Sequence, residues 1–304
     1  MEPIAVIGAP SAIGISPYRD GGMRRLDLAP AALREQGLIR RLGARDLGDV
    51  LPPPGYADEE RPAGRVRNED DVARYSERLA ERVAGAVRDH RFVLLLGGDC
   101  SIMLGALLGL KQALGAPVGV AYVDAHADFA TRETSVSGSA CSMNLALAVG
   151  REEGRLASLD GDQALLPGEL VAHVARRDDE EPEYGHADLP AYGVLDLAQR
   201  LIDERGAAAV ADEALARATQ ARAGFWIHFD VDALDPELMP AVDSPLPNGL
   251  DLHTAAELLG PLVSHPEARG LQVTIYDRSL DPEGSAAAVI VDLLERVLTS
   301  RRAP

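Results

Sequence analysis

The segment Pro117-Val-Gly-Val-Ala-Tyr-Val-Asp-Ala-His-Ala-Asp128 joins an apolar run to three potential metal ligands. Residues 118–123 are apolar, rich in β-branched side chains and preceded by turn residues, which is typical of a buried strand. Asp124, His126 and Asp128 then alternate, so an extended backbone places all three on one face at the end of that strand. In a metal site, these three side chains would be the ligands of the ion. Polar residues that cap the next element explain this motif equally well when it stands alone.

A second strand of the same kind ends in two further carboxylates. The segment Phe225-Trp-Ile-His-Phe-Asp-Val-Asp-Ala-Leu-Asp-Pro236 begins as another apolar strand, and Asp230 and Asp232 alternate on one face after it. Carboxylates a few ångström apart repel each other strongly unless a cation neutralises them. If the two strand ends meet, their carboxylates need a bound cation, which favours a metal site over simple capping.

The remainder of the chain alternates between apolar strands and helical segments. Strands separated by helices predict an α/β fold with a parallel sheet covered on both faces, because parallel pairing requires crossover connections. Ligands of such sheets gather at the carboxyl ends of the strands. Cys100, in the turn after the strand of 91–96, is therefore expected at the same edge. Residues 43–68 are predicted to form a long surface loop and residues 195–205 a helix. The other predicted strands are 3–8, 170–175 and 270–276, and the other predicted helices are 30–36, 70–90, 102–114, 140–149, 207–222, 252–263 and 284–300.

Composition and charge argue against several classes of protein. With 304 residues, 46% of them hydrophobic, and no apolar run of about 18 or more, the chain is expected to form a soluble globular domain over residues 1–304. Its formal net charge of −18 argues against nucleic acid or an anionic membrane as a partner. Two cysteines cannot form a disulfide framework, and the N-terminal residues lack the basic region of a signal peptide. A reducing, cytoplasmic location is therefore expected.

Three motifs, in this order and with these separations, resemble the metal-binding motifs of the arginase/agmatinase (ureohydrolase) family. They are Gly97-Gly-Asp-Cys-Ser101, Asp124-Ala-His-Ala-Asp128 and Asp230-Val-Asp-Ala-Leu-Asp-Pro236. The similarity runs from Ile7-Gly-Ala-Pro10 to Pro247-Asn-Gly-Leu250, so it covers nearly the whole chain. The resemblance implies a three-layer α/β/α domain with a mainly parallel sheet of about eight strands. It also implies a binuclear manganese centre that hydrolyses a guanidino group to urea and an amine, in a homo-oligomer that is a trimer or a hexamer.

The resemblance also implies a role for each metal ligand. Two divalent ions would share a water, lower its pKa toward neutrality and direct the resulting hydroxide at a planar carbon. Cys100 stands where most members have histidine. Thiolate is softer than imidazole, so Mn²⁺ is still the expected metal, but Zn²⁺, Fe²⁺ or Co²⁺ could replace it. A buried thiol that only packs is the alternative for this residue. In the implied arrangement two residues bridge the ions, Asp124 and Asp230; one ion is completed by Asp128 and Cys100, and the other by His126 and Asp232.

Residues that would contact the substrate depart from the family pattern. Cys141 replaces the histidine that shuttles protons, Ala130 replaces an asparagine, and Ser137 is retained. The glutamate that pairs with guanidinium has no clear counterpart, and Asp277 or Tyr276 is the nearest polar group. The acidic run 178–181 is typical of a solvated surface, although Glu180, which belongs to it, is included among the candidate substrate-binding residues. The candidate substrate-binding residues are Ser137, Cys141, Asp277 and Glu180.

His228 is a candidate catalytic residue, together with Asp128. It stands where the family usually has a small hydroxyl residue, two positions before Asp230, so alternation places it on the same face as the carboxylates. It could act as an acid–base group or hold a metal ligand in place. The alternative is a histidine with a purely structural role.

Three functions are compatible with these residues. The first is a binuclear metal hydrolase that releases urea from a guanidino-type small molecule. Arginine and agmatine are expected to be poor substrates, because the carboxylate that pairs with guanidinium is missing. The second is hydrolysis of another C–N bond, such as an amide or a formimidoyl group, since only the binding loops select the carbon that is attacked. The third is a non-catalytic family member with a binding or structural role.

Overall fold

A computed structural model describes residues 4–53, 64–89, 92–161 and 163–302. Within these ranges the chain forms one eight-stranded sheet. Its strands are β1 (Ala5–Ala9), β2 (Arg45–Asp49), β3 (Val93–Gly97), β4 (Gly119–Val123), β5 (Val171–Val174), β6 (Leu195–Leu197), β7 (Phe225–Asp230) and β8 (Ala268–Thr274). Their order in the sheet is β2-β1-β3-β8-β7-β4-β5-β6, and every neighbouring pair is parallel.

Helices connect the strands and cover both faces of the sheet. They are α1 (Ala29–Glu35), α2 (Leu38–Leu42), α3 (Glu69–Asp89), α4 (Ile102–Leu114), α5 (Asn144–Ala148), α6 (Gln199–Arg205), α7 (Ala207–Ala218), α8 (Leu252–Ser264) and α9 (Ser285–Leu298). In the part of the chain that the structure describes, none of them is both long and apolar enough to cross a membrane.

The hydrophobic core is divided into two layers by the sheet. Along β3, Leu94 and Leu96 belong to one buried cluster, and Val93 and Leu95 belong to the other, as the alternation of side chains in a strand requires. The first cluster includes α1, α2 and α6 to α9, and the second includes α3, α4 and α5. The predicted three-layer α/β/α fold with a parallel sheet is therefore confirmed.

The two edge strands of the sheet were not predicted from the sequence. β2 lies in the segment expected to be a surface loop, and β6 lies at the start of the segment expected to be a helix, which begins only at Gln199. Four of the five residues of β2 are exposed, so it lacks the apolar pattern of a buried strand. Residue 3 of the predicted first strand, residues 54–63 of the predicted loop, and residues 90 and 91 lie outside the described residues.

The turn after β3 depends on glycine. A Cβ atom on Gly98 would lie 2.3 Å from the carbonyl oxygen of Ser11, so no larger residue fits while the loop after β1 keeps its place. This close approach brings Asp99 and Cys100 to the carboxyl edge of the sheet, where β4 and β7 also end.

Candidate metal centre

The predicted ligands meet at the carboxyl ends of three strands. β4 and β7 are neighbours, and Val123 pairs with Phe229, so Asp124 and Asp230 follow at equivalent positions. Cys100 reaches them from the turn after β3, and its Sγ lies 3.1 Å from Oδ2 of Asp230. The expectation that these strand ends converge is therefore met by the fold.

The donor atoms form two groups that share one carboxylate. In each group, the candidate ligand atoms all lie within 4.8 Å of one another. Asp124 belongs to both groups, which is the geometry that a bridging ligand requires. Within the second group, Nδ1 of His126 lies 2.9 Å from Oδ2 of Asp232. The first group contains Cys100, Asp124, His228 and Asp230, and the second contains Asp124, His126 and Asp232.

Main-chain hydrogen bonds orient the carboxylates. Oδ1 of Asp124 accepts from the backbone N–H of His126 at 2.7 Å, and Oδ1 of Asp230 accepts from that of Asp232 at 2.9 Å. Oδ1 of Asp232 in turn accepts from the backbone N–H of Ala125 at 3.2 Å. Oδ1 of each of these carboxylates therefore accepts a backbone hydrogen bond that holds its loop in place.

Asp128 lies beside the two groups but belongs to neither. Its Oδ2 accepts a hydrogen bond from the hydroxyl of Tyr122 at 2.7 Å, and its backbone has a φ of 50°, an uncommon conformation for a residue other than glycine. Its expected roles as a metal ligand and a catalytic group stay predictions.

The cluster concentrates negative charge in a buried site. Burial and the carboxylates of Asp232 and Asp124 raise the pKa of Asp230 well above its usual range. Burial and the carboxylate of Asp124 do the same to the pKa of Asp128. Burial also acts to raise the pKa of Asp124, but hydrogen bonds from His126 and His228 outweigh it and lower that pKa. These carboxylates cannot all ionise together without a compensating cation.

The donor set fits divalent cations. Carboxylate oxygens and an imidazole suit Mn²⁺, whereas the thiol of Cys100 adds a softer ligand that suits Zn²⁺, Fe²⁺ or Co²⁺. Burial raises the pKa of that thiol, so a cation would have to displace its proton before the sulfur could bind.

Arg177 connects the loops that carry the ligands. Its guanidinium donates through Nη2 to the carbonyl oxygens of Asp232 at 2.7 Å and Leu246 at 2.9 Å. Its backbone N–H donates to the carbonyl oxygen of Ala125 at 2.9 Å. Arg177 thus links the segments that follow β4 and β7, the first through its backbone and the second through its side chain.

A cavity of about 680 Å³ opens above the cluster. Ser137 and Cys141, two of the predicted substrate-binding residues, line it together with Ser139 and Ser142. The Sγ atom of Cys141 lies 3.5 Å from Oδ1 of the buried Asp99, and burial raises the pKa of this thiol to about 12. Cys141 therefore keeps its proton near neutral pH and does not reproduce the proton transfer of a histidine.

The two other predicted substrate-binding residues lie elsewhere. Asp277 accepts hydrogen bonds from the hydroxyl of Tyr18 at 2.7 Å and from the backbone of Arg25 at 3.2 Å. Tyr276 donates to Asp281 at 2.7 Å. Among the described residues, the one from this segment that lines the cavity is Ile275. Glu180 is exposed and is not among the described residues of the cavity wall.

Sequence reasoning missed several charged residues of the cavity wall. Glu181, from the run that was interpreted as a solvated surface, and Glu183, two residues later, both line the cavity. Asp243 also lines it and forms an ion pair with Arg24. Oε2 of Glu181 lies 3.8 Å from Nε2 of His126, and neither atom has a hydrogen-bond partner among the described residues. No local pattern identifies these residues, because the fold alone brings their loops together.

Comparisons with known proteins agree with the motifs. The model of the arginase family matches residues 2–299. The arginase of Bacillus caldovelox is 32% identical over 304 residues, and that of Brevibacillus brevis is 30% identical over 304 residues. Both matches cover 97% of each chain.

Solved structures show the same architecture. The native structure of the Bacillus caldovelox arginase matches with a TM-score of 0.86 at 29% identity, over 98% of each chain. Proclavaminate amidino hydrolase from Streptomyces clavuligerus matches with a TM-score of 0.73 at 19% identity, over 98% of this chain and 91% of that one, and shares the fold. Because the family model and the arginase relatives extend over nearly the whole sequence, this chain belongs to the arginase family, whose members are metal-dependent hydrolases acting on guanidino C–N bonds.

Proposed function

We propose that this protein is a binuclear metal-dependent hydrolase that cleaves a guanidino C–N bond in a small molecule and releases urea. The observation that carries the proposal is the buried cluster of carboxylates, imidazole and thiol at the floor of an open cavity. Two groups of donor atoms that share Asp124 fit two neighbouring cations. When bound, such ions lower the pKa of a shared water and supply a nucleophile at neutral pH.

Each candidate ligand has a proposed role within that centre. Asp124 and Asp230 would be shared by the two ions, His126 and Asp232 would complete one site, and Asp128 and Cys100 would complete the other. Mn²⁺ is the proposed metal, and the sulfur ligand favours Zn²⁺, Fe²⁺ or Co²⁺ as substitutes.

Glu181 is proposed to bind the positively charged group of the substrate. Its Oε2 is buried without a hydrogen-bond partner in the described part of the chain, and it faces the imidazole of His126 from the cavity wall. An unpaired carboxylate in such a place is stabilised by a cation that can donate hydrogen bonds. Glu181 thus provides the carboxylate that was expected from the sequence to be missing.

Arginine itself has to be tested as the substrate. The relatives at 30–32% identity are named arginases, so they do not support our expectation that arginine is a poor substrate. That expectation is based on the absence of a carboxylate that pairs with guanidinium and on Cys141 in place of a proton-shuttling histidine. Glu181 offers a replacement for the carboxylate, whereas burial raises the pKa of the Cys141 thiol to about 12. A chain of this family is also expected to form a homo-oligomer in the cytoplasm, and sedimentation analysis of the purified protein tests the oligomer.

The deciding experiment combines metal analysis with urea release from arginine, agmatine and other guanidino compounds. We expect two metal ions per chain and urea from at least one compound. A kcat/KM of about 10⁴ M⁻¹s⁻¹ or more on arginine would make it an ordinary substrate and overturn our expectation for it. Ammonia without urea would indicate a different C–N bond, and two bound metals without any product would indicate a non-catalytic member.

The matched variants are Asp230→Ala and Asp212→Ala. Asp230 is buried in the cluster, whereas Asp212 is exposed on α7. We expect Asp230→Ala to lose metal and activity together, because the remaining donors cannot hold both ions, and Asp212→Ala to keep both. Two metal ions per chain in Asp230→Ala would contradict the proposed bridging role.

A further inference from the structure

A chain of buried hydrogen bonds supports Asp124 from behind. The indole N–H of Trp226 donates to Oε1 of Gln272 at 2.8 Å, and Nε2 of Gln272 lies 2.7 Å from Nδ1 of His228. Nε2 of His228 then lies 3.4 Å from Oδ2 of Asp124. The side chains of Trp226, Gln272 and His228 are fully buried.

The indole of Trp226 sets the donor and acceptor of every hydrogen bond in this series. An indole N–H can only donate, so the oxygen of the Gln272 amide must face Trp226 and the NH₂ group must face His228. An NH₂ group can only donate as well, so Nδ1 of His228 must accept and carries no proton. The single ring proton of His228 therefore lies on Nε2 and points at the carboxylate of Asp124.

We propose that Trp226 and Gln272 are positioning residues that hold His228 in the Nε2–H tautomer, so that it donates to Asp124 and does not bind metal. Asp124 then receives a hydrogen bond on each oxygen, from His228 on Oδ2 and from the backbone of His126 on Oδ1. Its carboxylate is oriented before any cation enters.

Distance alone would make His228 a ligand, since its ring nitrogen lies within 4.8 Å of the donor atoms of Cys100, Asp124 and Asp230. To bind a cation through Nε2, the proton must move to Nδ1, where it would oppose the NH₂ group of Gln272. Turning the amide would only oppose that NH₂ group to the indole N–H of Trp226. Either arrangement leaves two donors facing each other in a buried site, which is costly.

The ring also has little freedom to turn away. Tyr122 stacks on His228 with ring centroids 4.0 Å apart and an angle of 16° between the planes. His228 is not among the described residues that line the cavity, so it does not meet the substrate directly. The two metal sites are consequently unequal: His126 supplies an imidazole to one, and the other has sulfur and carboxylate ligands.

Long-range ¹H–¹⁵N NMR on protein labelled with ¹⁵N-histidine tests this tautomer, with the signals of His228 assigned by their loss in His228→Asn. We expect a protonated Nε2 and an unprotonated Nδ1 in the metal-free protein. In the diamagnetic Zn²⁺-loaded protein, we expect His126, and not His228, to show a metal-bound nitrogen. A proton on Nδ1, or a metal-bound nitrogen in His228, would overturn the proposal.

The variant Gln272→Leu separates positioning from mere packing. Without the amide, Nδ1 can take the proton, and we expect His228 to show a metal-bound nitrogen in the Zn²⁺-loaded variant. Gln112→Leu, at an exposed position on α4, is the matched control and should give the wild-type spectrum. An unchanged His228 spectrum in folded Gln272→Leu would remove Gln272 from this role. The zinc experiment rests on the proposed metal centre. The tautomer of His228 in the metal-free protein can be measured whether or not the protein releases urea.

Discussion

Replacing Arg177 by methionine should loosen the metal centre without touching a ligand. Methionine keeps most of the apolar stem of arginine and removes every donor of the guanidinium. The lost contacts include those to the carbonyl oxygens of Asp232 and Leu246, and weaker ones to Ala233 at 3.3 Å and Pro247 at 3.1 Å.

The magnitude follows from the two shortest contacts. A hydrogen bond from a charged donor contributes about 1.5–3 kcal/mol to stability, so losing those at 2.7 and 2.9 Å should lower the free energy of unfolding by about 3–6 kcal/mol. For a chain of this size each kcal/mol lowers Tm by about 2 °C, which predicts a loss of about 6–12 °C. Because Asp232 loses its anchor, the variant should also hold less metal after dialysis.

Arg205→Met provides the matched control. Arg205 forms an ion pair with Glu213 at 2.6 Å, but the side chains are 41% and 38% exposed. Exposed pairs of this kind contribute about 0–1 kcal/mol. Urea denaturation of both variants, followed by circular dichroism, and metal analysis of the folded proteins make the comparison. Equal losses of stability in the two variants, or full metal content in Arg177→Met, would refute the reasoning.

Three further predictions concern the thiols and the cavity wall. If Cys100 binds metal, the Co²⁺-loaded protein should show a thiolate charge-transfer band that disappears in Cys100→Ser; an unchanged spectrum would leave this thiol a packing role. Glu181→Gln should raise the KM for a cationic guanidino substrate about 10- to 200-fold and leave the metal content unchanged, because it removes a charge-assisted contact of about 1.5–3 kcal/mol. The same rise in KM in the exposed control Glu180→Gln would contradict this assignment. Cys141→His should raise kcat about tenfold or more by restoring a group that titrates near neutral pH, and an unchanged kcat would show that proton transfer does not limit turnover.

The floor of the site could be predicted from the sequence because its geometry is local. Asp124 and Asp230 each end a buried strand, and each accepts a hydrogen bond from the backbone two residues further on. An apolar run followed by alternating carboxylates therefore encodes both the strand and the direction of its ligands. The parallel sheet then follows from the alternation of strands and helices, which brings such strand ends to one edge.

The edges of the sheet could not be predicted in the same way. β2 is mostly exposed and β6 has three residues, so neither carries the apolar pattern by which a buried strand is recognised. Their positions are decided by pairing with β1 and β5, and such pairing is not encoded in a local run of side chains.

The cavity wall depends on contacts between distant residues, as the choice between Glu180 and Glu181 illustrates. Both lie in one acidic run, and composition cannot tell them apart. The fold does, because Asp178 is buried between the guanidinium of Arg176 at 2.9 Å and the backbone N–H of Ala127 at 2.8 Å.

With Asp178 fixed in this way, its carbonyl oxygen accepts from the backbone N–H of Glu181 at 2.9 Å and closes a turn. That turn leaves Glu180 in solvent and brings Glu181 toward His126. The residue proposed to bind the substrate is thus placed by an anchor three positions earlier, whose partner Ala127 lies between the candidate ligands His126 and Asp128. If Glu181 binds the substrate as proposed, substrate recognition is coupled to the same backbone that positions the candidate metal ligands.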